Sequence, residues 1–140
     1  MFVFFKESQA PTITASPNPT VYVVEGQNIT LEWSYNFGGR AFREVEFLQS
    51  TDTINVLDNS ASDGLFIYPD FDGRVLANIT ETNATITFLN VSSRTDHKTY
   101  RLRVENAARQ SAVNFVQMAV QGKLELLLMR FKLKRKRQLV

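Results

Sequence analysis

The chain has 140 residues, 44% hydrophobic and 21% charged, and it contains no cysteine. This length allows one domain with its own core, and the missing cysteines exclude disulfides, thiolate metal sites and cysteine nucleophiles. The net charge of +2 hides an asymmetry: residues 123–140 hold seven of the sixteen Lys and Arg and one of the fourteen acids, whereas residues 1–122 carry a net charge of −4.

The first part of the chain predicts strands by alternation and by proline placement. We expect residues 1–10 to be unstructured. Residues 11–17 and 20–24 read as one split strand that prolines confine to a sheet edge. Residues 28–34 alternate apolar and polar side chains, as a half-buried strand does, with Trp33 on the apolar side.

The middle of the chain predicts shorter strands separated by turns. A glycine pair at 38 and 39 marks a turn. Residues 41–49 form a strand with Phe47 inward and Glu44, Glu46 and Leu48 outward. Two short strands at 53–57 and 64–68 flank a polar loop, residues 58–63. A turn at 69–73 leads into a strand from 74 to 79.

The stretch from 84 to 106 organises the rest of the chain. Residues 84–88 and 100–104 are alternating strands, joined by a polar link. A last strand is predicted at 111–120. The chain thus resembles the immunoglobulin superfamily, in which an Arg opening strand D pairs with an Asp in the E–F link, and a Tyr of strand F forms the tyrosine corner. Arg74, Asp96 and Tyr100 fill those places.

This resemblance implies an all-β fold: an immunoglobulin-like two-sheet antiparallel sandwich with a V-type Greek key, here without a disulfide. It covers residues 11–121, and the spacing between strands B and F leaves room for strands C′ and C″. Trp33 and Leu102 stand where the family has its B–F cysteines, and Phe47 where it has the strand-C Trp. A buried aromatic stabilises by a few kcal/mol, comparable to a disulfide. Domains of this kind are similar to invertebrate, especially cnidarian, cell-surface recognition proteins, including allorecognition receptors.

Four of the ten asparagines lie in Asn-X-Ser/Thr sequences, which are acceptors for N-glycosylation: Asn28, Asn78, Asn83 and Asn90. Missing cysteines alone favour a reducing compartment, but this excess of acceptor sites predicts an extracellular or cell-surface protein. Residues 1–5 are too short for a signal peptide, so we expect the signal peptide and any membrane anchor to lie outside this chain. The chain contains no run of about 18 apolar residues, which is the length that a membrane-spanning helix needs.

In the lettering of this family, residues 28–34 are strand B, residues 74–79 strand D and residues 84–88 strand E. The sequons fall on or beside these three strands, which share one sheet. Glycans would therefore shield that sheet and leave strands C, C′, C″, F and G of the other sheet bare. The resemblance implies that this bare sheet binds other proteins. We expect Glu44, Glu46, Leu48, Arg101 and Arg103 to form the binding face. Their opposite charges either pair with each other across strands C and F or offer a self-complementary surface to a partner.

No motif predicts an enzyme, a cofactor, a metal site or a small-molecule substrate. His97 is read as a loop residue, and Asp70 and Asp72 as turn caps. The tail, residues 122–140, is basic and either disordered or helical. It fits a membrane-surface helix, a juxtamembrane segment, a nucleic-acid patch or non-native sequence, and we build no nucleic-acid function on it.

The sequence therefore predicts a module for cell–cell recognition or adhesion through its C-C′-F-G face, with another protein as partner. The same domain on an opposing cell is one candidate. Two alternatives stay open. One is a structural immunoglobulin domain of an intracellular filament protein. The other is an immune-type receptor domain that binds a separate ligand through loops 35–40, 58–63 and 106–110.

Overall fold

The computed structural model describes residues 9–122 and 130–135. Its ten strands are β1 (Thr12–Ala15), β2 (Thr20–Val24), β3 (Ile29–Asn36), β4 (Phe42–Gln49), β5 (Ile54–Ser60), β6 (Gly64–Ile67), β7 (Val75–Ile79), β8 (Asn83–Phe88), β9 (Thr99–Asn106) and β10 (Ser111–Gln121). A 3-10 turn at Pro69–Phe71 joins β6 to β7. Residues 130–135 are helical and exposed.

The strands form two sheets that face each other across one core. A four-stranded sheet has the order β1-β3-β8-β7, and a six-stranded sheet has the order β2-β10-β9-β4-β5-β6. All neighbours are antiparallel except β2 and β10, which run parallel. The predicted split of the first strand is real: β1 joins one sheet and β2 the other, with Pro17 and Pro19 between them, where no ladder hydrogen bond is required of their nitrogens.

Alternating apolar residues from both sheets fill the core, as expected of a sandwich. Its largest fully buried side chains include Trp33, Phe47, Phe88 and Tyr100. The Phe47 ring stacks on Tyr100 with centroids 5.2 Å apart and meets Trp33 edge-on at 5.6 Å. Aromatic pairs of this geometry add about 0.5–1.5 kcal/mol each beyond their buried area.

Two predictions need correction, one for the end of a strand and one for the exposure of a side chain. Residues 58–60 belong to β5 rather than to a loop, because Asp58 pairs with Glu46 and Ser60 with Glu44 across the ladder.

The sequence predicts that Leu48 projects outward with the other residues of the binding face, but only 4% of its surface is exposed. The β4–β9 register runs without a shift through residues 47–49, so Leu48 keeps its outward position opposite Arg101 and is nevertheless buried there. The bulge in the β4–β5 pairing is an extra residue of β5, Val56, which lies between the paired residues Asn55 and Leu57.

The predicted terminal segments are only partly described. Residues 1–8 and most of the tail lie outside the described residues, whereas Gln9 already donates its backbone N–H to the Gly38 carbonyl at 3.1 Å. Within the described ranges, no helix has the length and apolar character needed to cross a bilayer.

Candidate interaction face

The outer surface of the six-stranded sheet, called here the six-stranded face, carries the predicted charged residues. Glu44 and Glu46 project from β4, and Arg101 and Arg103 from the neighbouring β9. All four side chains are partly buried, with 19–32% of their surface exposed. Directly opposite residues of an antiparallel pair project from the same side of the sheet, so this register brings the four together.

The four side chains pair across the two strands. Arg101 Nη2 lies 2.8 Å from Glu46 Oε1. Arg103 Nη2 lies 3.4 Å from Glu46 Oε2 and 3.8 Å from Glu44 Oε2. The cross-strand pairing considered from sequence is therefore present, and the charges largely satisfy one another within the chain.

Two further members of this network escaped the sequence prediction. Arg43 Nη1 lies 2.6 Å from Glu105 Oε2 and 3.5 Å from Glu44 Oε2. Glu105, which is 7% exposed, also pairs with Arg103 at 3.1 Å. Glu105 directly follows the predicted strand 100–104. It lies opposite Glu44, and two acids placed side by side in this way are a signal for a shared arginine.

Three carboxylates of this face lie close together. Oxygens of Glu44, Glu46 and Asp58 fall within 4.8 Å of one another, a spacing that a cation could bridge. The pKa of Glu44 is raised, first by burial and further by the charges of Asp58 and Glu46, while Arg103 and Arg43 oppose the shift. Arg103 and Arg43 thus offset part of this negative charge.

The β5–β6 side of the face adds an aromatic pair. The Tyr68 hydroxyl donates to Asp58 Oδ2, and this bond, with burial and the Asp58 charge, raises the pKa of Tyr68 to about 12. The Phe66 ring meets Tyr68 edge-on at 5.0 Å. Among the described residues, Asp58 Oδ1 and Arg101 Nε are the buried side-chain atoms without a hydrogen-bond partner.

Exposed apolar side chains border the charged network on both sides. Phe66 on β6 is 53% exposed, and Val113 and Phe115 on β10 are 44% and 56% exposed. Of the exposed large hydrophobic residues among the described strands, only Leu76, also 56% exposed, belongs to the four-stranded sheet. The others lie on six-stranded-sheet strands: Tyr22, Ile54, Leu65, Phe66, Val113 and Phe115.

Arg74, Asp96 and Tyr100, which the sequence predicts to be structural residues, contact one another. Arg74 Nη2 lies 2.6 Å from Asp96 Oδ1, and the Tyr100 hydroxyl donates to the Asp96 carbonyl at 2.9 Å. Asp96 Oδ2 also accepts the Ser92 N–H at 2.7 Å. Burial raises the pKa of the Tyr100 hydroxyl, since its ionised form would lose solvation.

Trp33 and Leu102 are both buried in the core. No feature of the sequence indicates the hydrogen-bond partner of the indole nitrogen. Trp33 Nε1 donates to Asn114 Oδ1 at 2.8 Å. Asn114 lies opposite Leu102 on β10, so this hydrogen bond links the two sheets where a disulfide would have done so.

Comparison with solved structures places this arrangement among known folds. Murine CRIg superposes with a TM-score of 0.63 at 13% identity, covering 81% of this chain and 99% of that one. The first Ig-like domain of human CD48 gives 0.58 at 18% identity, covering 80% and 91%. A chain of the Dpr1 IG1–DIP-eta IG1 complex gives 0.59 at 11% identity, covering 79% and 95%. The chain has the immunoglobulin fold.

No known protein family matches the sequence, and no curated protein matches it. The likeness therefore concerns the immunoglobulin fold alone. In the lettering of that fold, the four-stranded sheet holds strands A, B, E and D, and the six-stranded sheet holds A′, G, F, C, C′ and C″.

All four asparagines in glycosylation sequons are exposed and belong to the A-B-E-D side of the immunoglobulin domain. Asn78 and Asn83 lie on neighbouring strands D and E. Asn28 and Asn90 meet at the start of strand B and the end of strand E, where the Asn90 N–H donates to Asn28 Oδ1 at 2.9 Å. Sequons are thus absent from the described part of the six-stranded face.

The loops at one end of the domain are tied to each other and to the N-terminal segment. Asn106, fully buried at the end of strand F, donates to the Phe37 carbonyl at 3.2 Å and so joins the F–G and B–C loops. The Gln9 segment lies against Gly38: a Cβ at Gly38 would fall 1.8 Å from the Gln9 carbonyl oxygen. Part of this loop end is therefore covered by the chain itself.

Residues with possible catalytic chemistry are dispersed. His97 is exposed, and its Nδ1 accepts the Val120 N–H at 3.0 Å, a structural contact at the end of strand G. Asp70 lines a surface cleft with Asp52, Arg74 and Lys98. Asp72 follows the 3-10 turn, and its N–H donates to the Pro69 carbonyl at 3.2 Å.

Proposed function

We propose that this immunoglobulin-like domain is an extracellular or cell-surface module that binds another protein through its six-stranded face, and that it serves in cell–cell recognition or adhesion. The observation that carries the proposal is the difference between its two faces. Exposed apolar side chains concentrate on the six-stranded sheet, whereas every sequon of the described chain belongs to the other side. On β10, Val113 and Phe115 are two residues apart and so project from the same side of the strand, and neighbouring exposed apolar side chains mark interaction sites.

Structural neighbours support a protein partner. The Dpr1 IG1 structure holds that domain bound to a second one, DIP-eta IG1. A binding role also fits the chemistry of the face, where apolar side chains flank a nearly balanced set of charges. We also propose that the domain is of the cysteine-free invertebrate recognition type, similar to allorecognition receptors.

The charged network contributes orientation more than affinity. Glu44, Glu46, Arg101 and Arg103 already satisfy one another, and a partner would have to replace those contacts to gain from them. Phe66, Val113 and Phe115 are exposed in the free domain. Burying them against a partner breaks no ion pair, so it supplies the favourable free energy of binding. Leu48, being buried, is not part of the proposed contact surface.

A surface-binding experiment with a matched pair of variants tests the proposal. The full chain, secreted from glycosylating cells, is immobilised and exposed to a panel of cell-surface ectodomains that includes the chain itself. Phe115→Glu places a charge on the six-stranded face, and Leu76→Glu places one on the opposite face at the same 56% exposure. We expect Phe115→Glu to weaken binding at least about tenfold, that is by 1.4 kcal/mol or more, and Leu76→Glu to leave it unchanged.

The reverse pattern, with binding lost in Leu76→Glu and kept in Phe115→Glu, would refute the assignment of the face. Binding that survives both changes but disappears when residues 106–110 are exchanged would support the loop alternative. Unmodified asparagines in the secreted protein would remove the glycan argument and favour the filament alternative.

A further inference from the structure

Residues 130–137, called here the basic segment, hold six Lys and Arg and no acid. The structure describes the segment as far as residue 135, as a helix in which every residue is exposed. The segment belongs to neither sheet, and it comes after strand G, which ends at Gln121. The proposed binding face therefore leaves this concentration of charge without a role.

The bases of this helix differ from those of the sandwich in their pairing. Five bases of the sandwich form ion pairs with carboxylates: Arg43, Arg74, Lys98, Arg101 and Arg103. Among the described residues, no carboxylate pairs with the four bases of the helix, which are Arg130, Lys132, Lys134 and Arg135. Since residues 1–122 carry a net negative charge, an anionic ligand is attracted to the basic segment and repelled by the sandwich.

The order of side chains around the helix disfavours a membrane as that anionic ligand. Phe131 is 60% exposed and Leu133 59%. An α-helix turns by about 100° per residue, so these two side chains project from nearly opposite sides, about 200° apart. A helix that lies on a membrane needs its apolar side chains on one face. The helix thus suits a ligand that is charged along its whole length.

The aromatic ring of the basic segment is not free to stack on a nucleic-acid base from both faces. The guanidinium carbon of Arg135 lies 5.4 Å from the centroid of the Phe131 ring and covers one of its faces. Proteins that bind single-stranded nucleic acid combine a basic groove with aromatic side chains on which successive bases stack. The basic segment offers charge without such a row of aromatic side chains.

We infer that the basic segment binds a sulfated polysaccharide outside the cell. Short runs rich in Lys and Arg bind either nucleic acids or heparin-like polysaccharides, and the compartment decides between these two classes. The inference rests on the proposed function in this respect, because an extracellular chain meets the polysaccharides. Their sulfates and carboxylates supply the acidic partners that the four bases of the helix lack among the described residues. Such binding holds the domain at a surface and leaves the six-stranded face free for a protein.

Binding of the full chain to heparin, a soluble sulfated polysaccharide, tests the inference. One variant, Lys132→Gln with Lys134→Gln, removes two charges of the basic segment. The control variant, Arg94→Gln with Arg109→Gln, removes two charges from exposed loops of the sandwich and has the same net charge. Isothermal titration calorimetry measures the affinity at a series of salt concentrations, and circular dichroism checks that both variants are folded.

We expect the variant of the basic segment to bind heparin about tenfold more weakly than the unchanged chain, and the control variant to bind like the unchanged chain. Each base that contacts an anionic group releases a counterion. The slope of log affinity against log salt should therefore be shallower by about 1.4–1.8, the value for two contacts on a nucleic acid. Equal losses in the two variants would overturn the inference, and so would a full chain that does not bind heparin.

Two further probes identify the class of anionic ligand. At the same ionic strength, the full chain is offered double-stranded DNA and vesicles of phosphatidylserine and phosphatidylcholine. We expect heparin to bind more tightly than either probe. Tighter binding to DNA or to the vesicles would overturn the assignment to a sulfated polysaccharide. Heparin from which the sulfates have been removed should bind more weakly, and equal binding would contradict recognition of sulfate.

The outcome separates this inference from the proposed function. A chain that does not bind heparin, but binds an ectodomain in a way that Phe115→Glu weakens, refutes the role of the basic segment and leaves the binding face in place. Heparin binding that depends on the basic segment, beside ectodomain binding that Phe115→Glu does not affect, refutes the proposed face and leaves the polysaccharide site.

Discussion

Asp96 is the residue whose removal should cost this domain most among its ion-paired groups. It is 2% exposed and accepts hydrogen bonds from Arg74 and the Ser92 N–H. Asp96→Ala should lower the free energy of unfolding by about 2–3 kcal/mol, below the value for a fully buried pair because Arg74 is partly solvated. Urea unfolding measures this change.

A surface pair supplies the comparison for Asp96. Lys98 Nζ lies 3.3 Å from Asp52 Oδ2, with both side chains about a third to a half exposed. Asp52→Ala should therefore cost less than about 1 kcal/mol. Equal losses in Asp52→Ala and Asp96→Ala would show that the buried pair has no special role.

The hydrogen bond between Trp33 and Asn114 gives a second prediction. Asn114→Ala leaves the buried indole N–H without its partner and should cost about 1–3 kcal/mol. In a double-mutant cycle with Trp33→Phe, the second change should cost less once the first is made, since the unsatisfied donor is then gone. Additive losses in urea unfolding would contradict this coupling.

Sequence reasoning succeeded for residues whose pattern is local and failed where contacts are distant. The contacts of Arg74, Asp96 and Tyr100 depend on strand and link lengths, which the sequence displays. Asn114 was missed because nothing in its neighbourhood distinguishes an amide that reaches the opposite sheet. The binding role of the charged residues remains a proposal, and only their mutual pairing is observed.

At the scale of elements, the turn between β3 and β4 offers a matched pair of glycines. Gly38 and Gly39 both have positive φ, +73° and +81°, but only at Gly38 would a Cβ collide with the Gln9 carbonyl. Gly39→Ala should cost roughly 1–2 kcal/mol for the left-handed backbone. Gly38→Ala should cost more and should displace the Gln9 segment.

Hydrogen–deuterium exchange of the peptide that contains Gln9 measures this displacement. Its exchange should rise in Gly38→Ala and stay near the wild-type level in Gly39→Ala. Equal exchange in both variants would mean that the segment does not depend on the close approach at Gly38.

The alternation of apolar and polar residues predicts that the strands exist. It does not predict where they end or where their pairing is irregular. The polar composition of residues 58–60 predicts a loop, but pairing with β4 makes them strand. The extra residue of β5, Val56, has no local signature, because its neighbours Asn55 and Leu57 do not distinguish a bulge from a regular strand. Register is fixed by the partner strand, and a single sequence does not display the partner.

At the scale of the whole molecule, buried tyrosines set an upper pH limit for stability. Burial raises the pKa of Tyr35 and Tyr100 above the ordinary 10.0. The folded state then holds these protons more tightly than the unfolded state, so the stabilisation is complete below pH 10 and declines as the pH rises beyond it. Urea unfolding between pH 8 and about 11.5 should show this decline.

Tyr35→Phe tests the origin of the decline. This variant loses the hydrogen bonds to the Thr80 and Asn83 carbonyls, so it should be less stable at neutral pH, yet its stability should fall less steeply with alkali. An unchanged slope would mean that other groups govern the alkaline limit.

The division of the first strand between the two sheets has a mechanical consequence. β2 and β10 run parallel, with Thr20–Val24 in register with Gln117–Gln121. Tension applied through the chain before β2 and the chain after β10 pulls these strands past each other lengthwise. Their hydrogen bonds are then loaded together in shear instead of being opened one after another. A domain tethered at its C-terminal side and pulled through its N-terminal side would thus resist extension without any covalent cross-link.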